Sequence, residues 1–198
     1  KLDLPLFLFS IGLGAIFVSV FSFGLALLNL FYLLPILALA VGFLILSRKQ
    51  IKNLYVWFKK DLSIPLKKIS WVEWLMGGTL LLLLSFSFVL ASAPLPSGFD
   101  DFGHYMNFPN LITKTHGFIY DQGFHAFAFL QAIAIFIMGN TGLAQVLTFS
   151  FGILSLAAIY LLISNFVSKN LSLLVTLILA TIPFFAAHSS IELKVELP

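Results

Sequence analysis

Long apolar runs separated by short polar stretches dominate the chain. A helix needs about 20 mostly apolar residues to cross a hydrocarbon core of about 30 Å. The pattern therefore predicts an all-α fold, a polytopic transmembrane helix bundle of about five spans, of which the second is short. The first two spans are joined by a hairpin turn at Asn29. The predicted spans are 4–28, 31–46, 71–91, 143–163 and 171–185.

The composition changes abruptly between the second and third runs. Residues 48–70 carry seven of the eleven Lys and Arg residues. Short loops rich in Lys and Arg remain in the cytoplasm, so this segment orients the chain. The aromatic residues Tyr55, Trp57 and Phe58 favour a helix lying on the inner leaflet. A solvated basic loop is the alternative, and it gives the same orientation.

The third span brings the chain to the outer face, where residues 92–124 form a polar loop. Within this loop, Pro109 near the start and Gly117 at the end of a short segment predict a helix. We expect Leu111 and Ile112 of that helix to rest on the membrane surface.

The apolar segment 126–138 is short for a span and leaves two topologies open. If it crosses the membrane, Lys169 lies outside and the C-terminal residues are cytoplasmic. If it is a re-entrant or juxtamembrane segment of the outer face, Lys169 lies inside. In that case residues 186–198 share the outer face with loop 92–124. The segment length and the position of Lys169 favour this second topology.

The overall composition supports a membrane protein. The chain has 198 residues, of which 60% are hydrophobic and 10% charged, and it has no Cys. A soluble domain is about 45–50% apolar and about 25% charged. These values exclude a soluble globular domain, a disordered chain, a disulfide-stapled module and a zinc-thiolate protein. The net charge of +3 is concentrated in one stretch, and we expect no nucleic-acid partner.

Ionisable residues collect on one side in the favoured topology. All four His residues and five carboxylates would face outward, and such clusters at a membrane boundary are candidate functional sites. Ordinary solvated loop charges are the alternative. The adjacent Asp100 and Asp101 could flank one reacting group or share a divalent cation through oxygen ligands. The five carboxylates are Asp100, Asp101, Asp121, Glu192 and Glu196.

Residues 71–198 resemble the N-terminal part of a polytopic glycosyltransferase of the GT-C class, which includes protein O-mannosyltransferases and lipid A aminoarabinose transferases. The resemblance depends on a Pro-containing stretch after a span, an acidic pair, a His/aromatic pair and a short helix ending in His-Gly. A membrane-dipping segment, two linked spans, a Pro and a Lys-x-acid motif follow. The matching residues are Pro94, Pro96, Asp100-Asp101, His104-Tyr105, Pro109, His116-Gly117, Pro183, Lys194 and Glu196.

The resemblance implies a transferase that takes a sugar from a polyprenyl-phosphate donor and transfers it on the outer face. It implies Asp100, Asp101 and Glu196 as catalytic residues. It also implies a divalent metal ion, Mg or Mn, held by Asp100 and Glu196. The residues that it implies for substrate binding are His104, Tyr105, His116 and Lys194, the last beside the lipid phosphate.

The apolar and basic runs, together with the resemblance over residues 71–198, suggest how the chain is organised. We expect an N-terminal transmembrane hairpin at 1–47, a basic cytoplasmic or interfacial segment at 48–70, and a GT-C-like module at 71–198 with outer loops 92–124 and 186–198. We expect the chain to be a piece of a longer polypeptide, located in a bacterial inner membrane and inactive as 198 residues alone.

Two further function classes remain open. A non-catalytic structural subunit of a larger complex, with partner membrane chains, is the main alternative. A transporter ranks below it, because no span has an ionisable residue near its middle. Asn29 and Gln131 are the only strongly polar residues that we expect to be close to embedded.

Overall fold

The computed structural model describes residues 4–61, 69–92, 107–119, 126–183 and 185. All regular elements within these residues are α-helices, which confirms the predicted all-α class. The helices are α1 (Leu4–Leu27), α2 (Leu33–Leu46), α3 (Arg48–Asp61), α4 (Trp71–Ala91), α5 (Asn107–Thr115), α6 (Ala126–Met138), α7 (Gly142–Ser164) and α8 (Lys169–Thr181).

Three of the described helices are long and apolar enough to cross a membrane, namely α1, α4 and α7. Most of the large apolar side chains of α1 and α4 are exposed, as expected for helices surrounded by lipid, whereas those of α7 are mostly half-buried or buried. The protein is therefore an integral membrane protein. Helices α2, α6 and α8 are apolar but shorter, so the count of five spans stays a prediction.

Local sequence signals explain where α4 begins and where the chain turns between α1 and α2. The Ser70 side chain accepts a hydrogen bond from the Glu73 N–H, and the Glu73 carboxylate accepts one from the Ser70 N–H. This capping box satisfies backbone donors at the start of α4. Asn29 has a φ of 55°, in the left-handed region that Asn tolerates better than most residues. The structure thus confirms the turn at Asn29 between α1 and α2.

Small side chains form the interfaces between the main helices. Helix α1 packs against α6, and the buried residues of α1 are Ser19, Ser22 and Ala26. Helix α6 buries Ala128 and Ala132. Small residues allow helix backbones to approach closely, which is how apolar helices associate where lipid offers them no hydrophobic driving force.

Aromatic contacts show how the helices run relative to one another. Phe31, just before α2, contacts Phe136 near the end of α6, with ring centroids 6.2 Å apart. Phe88 near the end of α4 contacts Phe149 in the first half of α7, at 5.8 Å. The turn between α1 and α2, the ends of α4 and α6 and the start of α7 therefore share one end of the bundle. Because α5 packs there, we call it the α5 end.

The opposite end, called the basic end, holds the start of α4 and the turn between α7 and α8. Glu73 and Lys169 lie near enough there to attract each other electrostatically. Helices α4 and α8 start at this end and pack together, so α8 runs toward the α5 end beside α4. Helix α3 follows α2 on the side that faces away from the α5 end, and Arg48, Lys49 and Lys52 are exposed. Residues 48–61 are thus helical rather than an irregular loop.

The structure corrects the predicted environment of α5. Ile112 is 0% exposed and packs in a core cluster with Ala26, Phe108 and Phe129. The expectation that Ile112 rests on the membrane surface is wrong, because the apolar face of α5 packs against the protein instead. Leu111 is half-buried.

Candidate functional site

Among the predicted site residues, His116 lies within the described part of the chain. It follows the last turn of α5 at the α5 end, and its environment can be built atom by atom. The other predicted residues lie outside the described residues, and their roles stay predictions. They are Asp100, Asp101, His104, Tyr105, Lys194 and Glu196.

The backbone of His116 terminates α5. Its N–H donates to the Ile112 carbonyl at 2.9 Å, and its φ is 56°. A left-handed conformation is unfavourable for a residue with a Cβ, by about 1–2 kcal/mol. Surrounding contacts must therefore hold His116 in place.

Two hydrogen bonds to Phe31 supply such contacts. The Phe31 N–H donates to the His116 carbonyl at 3.1 Å. The His116 Nδ1 lies 3.0 Å from the Phe31 carbonyl oxygen. A carbonyl oxygen can only accept, so Nδ1 carries the proton of this bond. The neutral imidazole consequently has its lone pair on Nε2, which is the nitrogen that can accept a proton or a hydrogen bond.

The imidazole ring is also held by aromatic contacts. It stacks on Tyr32, with centroids 4.0 Å apart and an interplanar angle of 19°. The ring of Phe136 of α6 contacts it in a T-shaped arrangement, with the centroids 5.9 Å apart. The His116 ring is half-buried between these groups. Side chains from the α1–α2 turn and from α6 thus fix its orientation.

Gly117 and Phe118 extend this attachment to the end of α1. The Phe118 N–H donates to the Ala26 carbonyl at 3.0 Å. A Cβ atom on Gly117 would collide with the Asn29 Oδ1 atom, so glycine leaves the room that the Asn29 side chain occupies. Residues 116–118, which we call the His-Gly strap, therefore fasten α5 to the α1–α2 turn. The sequence predicts His116 as a substrate-binding residue, which stays a prediction, and gives no sign of this structural role.

A second polar group lies between α6 and α7. The Gln131 Nε2 atom donates to the Thr148 Oγ1 at 3.4 Å, and both residues are buried. Gln145 is 3% exposed, and its Oε1 has no hydrogen-bond partner among the described residues. We expected Asn29 and Gln131 to be the only strongly polar residues close to the membrane-embedded part of the protein. This expectation is wrong, because Gln145 of α7 is buried as well. The position of Gln145 within the apolar run 143–163 is the sequence signal that could have identified it.

The described residues hold no group of three or more His, Cys, Asp or Glu side chains that could bind a metal ion. The predicted ligands Asp100 and Glu196 belong to segments outside the described ranges. Carboxylate oxygens are the ligand type that Mg²⁺ favours. The metal site stays a prediction.

Comparison with known proteins adds no assignment. No protein family, no curated protein and no solved structure matches the chain.

Proposed function

We propose that the protein is the N-terminal part of a membrane glycosyltransferase that transfers a sugar from a polyprenyl-phosphate donor to an acceptor on the outer face. The observation that supports this proposal is the direction of two helices. Helix α4 ends at Ala91 at the α5 end, and α8 runs toward that same end. These helices lead into the segments that carry Asp100 and Glu196. The two acids would then face the same side of the membrane.

The proposal includes five spans and a re-entrant α6. Phe127 in the first turn of α6 contacts Phe151 in the middle of α7, at 5.2 Å. The end of α6 lies at the α5 end, beside Phe31. A helix of 13 residues rises about 20 Å, less than the hydrocarbon thickness of about 30 Å. These contacts support a segment that rises from within the bilayer to the α5 end, where the chain turns into α7.

The positions of the Lys and Arg residues orient this arrangement relative to the two sides of the membrane. Lys169 lies at the basic end, and the exposed cations of α3 follow α2 on the side that faces away from the α5 end, so the positive-inside rule assigns the basic end to the cytoplasm. The α5 end is then the outer face. A donor with an isoprenoid tail reaches such a site from the bilayer while its sugar phosphate stays in the aqueous boundary.

In the proposed reaction, the acceptor hydroxyl oxygen attacks the anomeric carbon of the sugar. The bond between this carbon and the phosphate oxygen breaks, and the electron pair leaves with the polyprenyl phosphate. Asp100 accepts the hydroxyl proton as general base, with Asp101 beside it. Lys194 provides a positive point charge for the phosphate. A divalent ion on Asp100 and Glu196 would add further stabilisation of the phosphate charge.

The His-Gly strap holds α5 in position at the α5 end. It fastens the C-terminal end of α5 to the α1–α2 turn through the Phe31 and Ala26 backbones. Loop 92–124 is thereby anchored in its middle. The proposed substrate contact of His116 would use Nε2, the nitrogen that the bond to Phe31 leaves with a lone pair.

The decisive experiment is Asp100→Asn in the full-length protein, with transfer measured from a polyprenyl-phosphate sugar in proteoliposomes. The substitution keeps the size of the side chain and removes the base. General-base catalysis contributes about 10²–10⁴-fold, so we expect a loss of this size. Lys114→Gln, on the exposed side of α5, serves as the matched surface control. If Asp100→Asn turns over as fast as this control, the assignment is wrong.

A further inference from the structure

We propose that α3 binds the surface of an anionic phospholipid membrane, with its apolar side among the acyl chains and its cations on the lipid phosphates. The helix begins at Arg48, two residues after α2 ends at Leu46. Helix α2 is apolar, and most of its large side chains are exposed, as in a helix surrounded by lipid. Helix α3 therefore starts at the membrane boundary at which the apolar run 31–46 ends.

One side of α3 carries apolar residues that the protein does not cover. Ile51 is 46% exposed and Tyr55 is 67% exposed. The two residues are four positions apart, so they lie on the same side of the helix. The sequence has Leu and Phe at positions 54 and 58, which continue this spacing. Among the described helices, α3 makes its main contact with α2, the helix that precedes it. The apolar side is thus open to the membrane.

A row of cations adjoins this apolar side. Arg48 and Lys52 precede Tyr55 by seven and three residues, a spacing that places them along one line of the helix. Both cations are exposed, as is Lys49 farther around the helix. Arg and Lys have long aliphatic stems, so their charged groups can reach the phosphates while the neighbouring apolar side chains enter the acyl-chain region.

The charge of this stretch favours an anionic membrane over other occupants. From residue 4 to residue 60 the sequence has no Asp or Glu, whereas residues 48–60 contain five Lys or Arg residues. A helix with cations on its polar side and aromatic residues on the other lies in the plane of the membrane interface. Each cation near an anionic surface contributes about fivefold in affinity, so Arg48 and Lys52 together contribute about 25-fold. A zwitterionic membrane would cover the apolar side without this gain.

Two nitroxide labels on the full chain report which side of α3 meets the lipid. The chain has no Cys, so Tyr55→Cys and Asn53→Cys each provide a single attachment point. Positions 53 and 55 are both exposed, and they are turned by about 200° from each other. The measurement is electron paramagnetic resonance in nanodiscs of phosphatidylcholine with phosphatidylglycerol. We expect the label at 55 to collide with lipid-dissolved oxygen, and the label at 53 to collide with a water-soluble nickel chelate.

The charge contribution is measured with the label at position 55. At the phosphatidylglycerol content that binds half of the helices, Arg48→Gln combined with Lys52→Gln should lower the ratio of bound to released helix by about 25-fold. Omission of phosphatidylglycerol should release the helix of the unchanged chain. Lys114→Gln combined with Lys169→Gln removes the same charge from other exposed positions. This control should leave the bound fraction unchanged.

Three results would overturn the proposal. The first is equal access of the nickel chelate to the labels at 53 and 55, which would leave the apolar side for a protein partner. The second is equal burial of the label at 55 with and without phosphatidylglycerol, which would mean that apolar contact alone holds α3. The third is an equal effect of the two double variants, which would indicate a response to net charge. None of these results bears on the proposed sugar transfer, so the two proposals fail separately.

Discussion

The buried side chain of Ile112 holds α5 against the rest of the protein, and its truncation tests this packing. Its side chain is 0% exposed and contacts the cluster that contains Phe31 and Phe129. Truncation of a buried Ile to Ala costs about 2–5 kcal/mol, because the removed carbons leave a cavity. Since α5 is a short surface helix that can partly relax, we expect Ile112→Ala to cost about 2–3 kcal/mol.

The appropriate assay is amide hydrogen exchange of α5 in the reconstituted protein. A loss of about 2–3 kcal/mol in local stability accelerates exchange about 30- to 150-fold. Leu111→Ala removes the same number of carbons from a half-buried neighbour, and we expect less than about fivefold acceleration there. Equal acceleration in the two variants would refute the packing argument, since it would mean that both side chains face the same environment.

Two further predictions concern buried polar contacts. His116→Phe keeps an aromatic ring against Tyr32 but leaves the Phe31 carbonyl without its donor; we expect a loss of about 1–3 kcal/mol in the stability of α5, measured by hydrogen exchange. His116→Asn should lose less, because Asn offers a donor and tolerates a positive φ, and an equal loss would contradict this explanation. Gln145→Leu should leave the thermal unfolding temperature unchanged or raised, because it removes a buried oxygen without a partner among the described residues; a clear decrease would show that Gln145 makes a stabilising contact.

The sequence predicts the helices of this protein well because hydrophobicity is a local signal. The apolar runs 71–91 and 126–138 coincide with α4 and α6. At the start of α4, Ser70 and Glu73 form a cap that depends on a spacing of three residues. Features of this kind are contained in a few neighbouring residues, so a single chain is enough to predict them.

Packing between helices could not be predicted in the same way. Helix α1 is apolar on all sides, so its hydrophobic pattern does not indicate which face meets α6. The buried face is distinguished instead by its small residues, Ser19, Ser22 and Ala26. The bond between His116 and Phe31 joins residues 85 positions apart, and nothing local predicts it. For the same reason the sequence predicts Ile112 at the membrane surface, although it packs inside the protein.

The central claim is that the segments carrying Asp100 and Glu196 share the outer face, and the side on which Lys169 lies tests it most directly. The chain has no Cys, so Lys169→Cys introduces a single reactive thiol at an exposed position. A membrane-impermeant maleimide added to intact cells should label Lys114→Cys, the outer control. It should label Lys169→Cys and the cytoplasmic control Lys49→Cys only after permeabilisation. Labelling of Lys169→Cys in intact cells would mean that α6 crosses the membrane and would contradict the account.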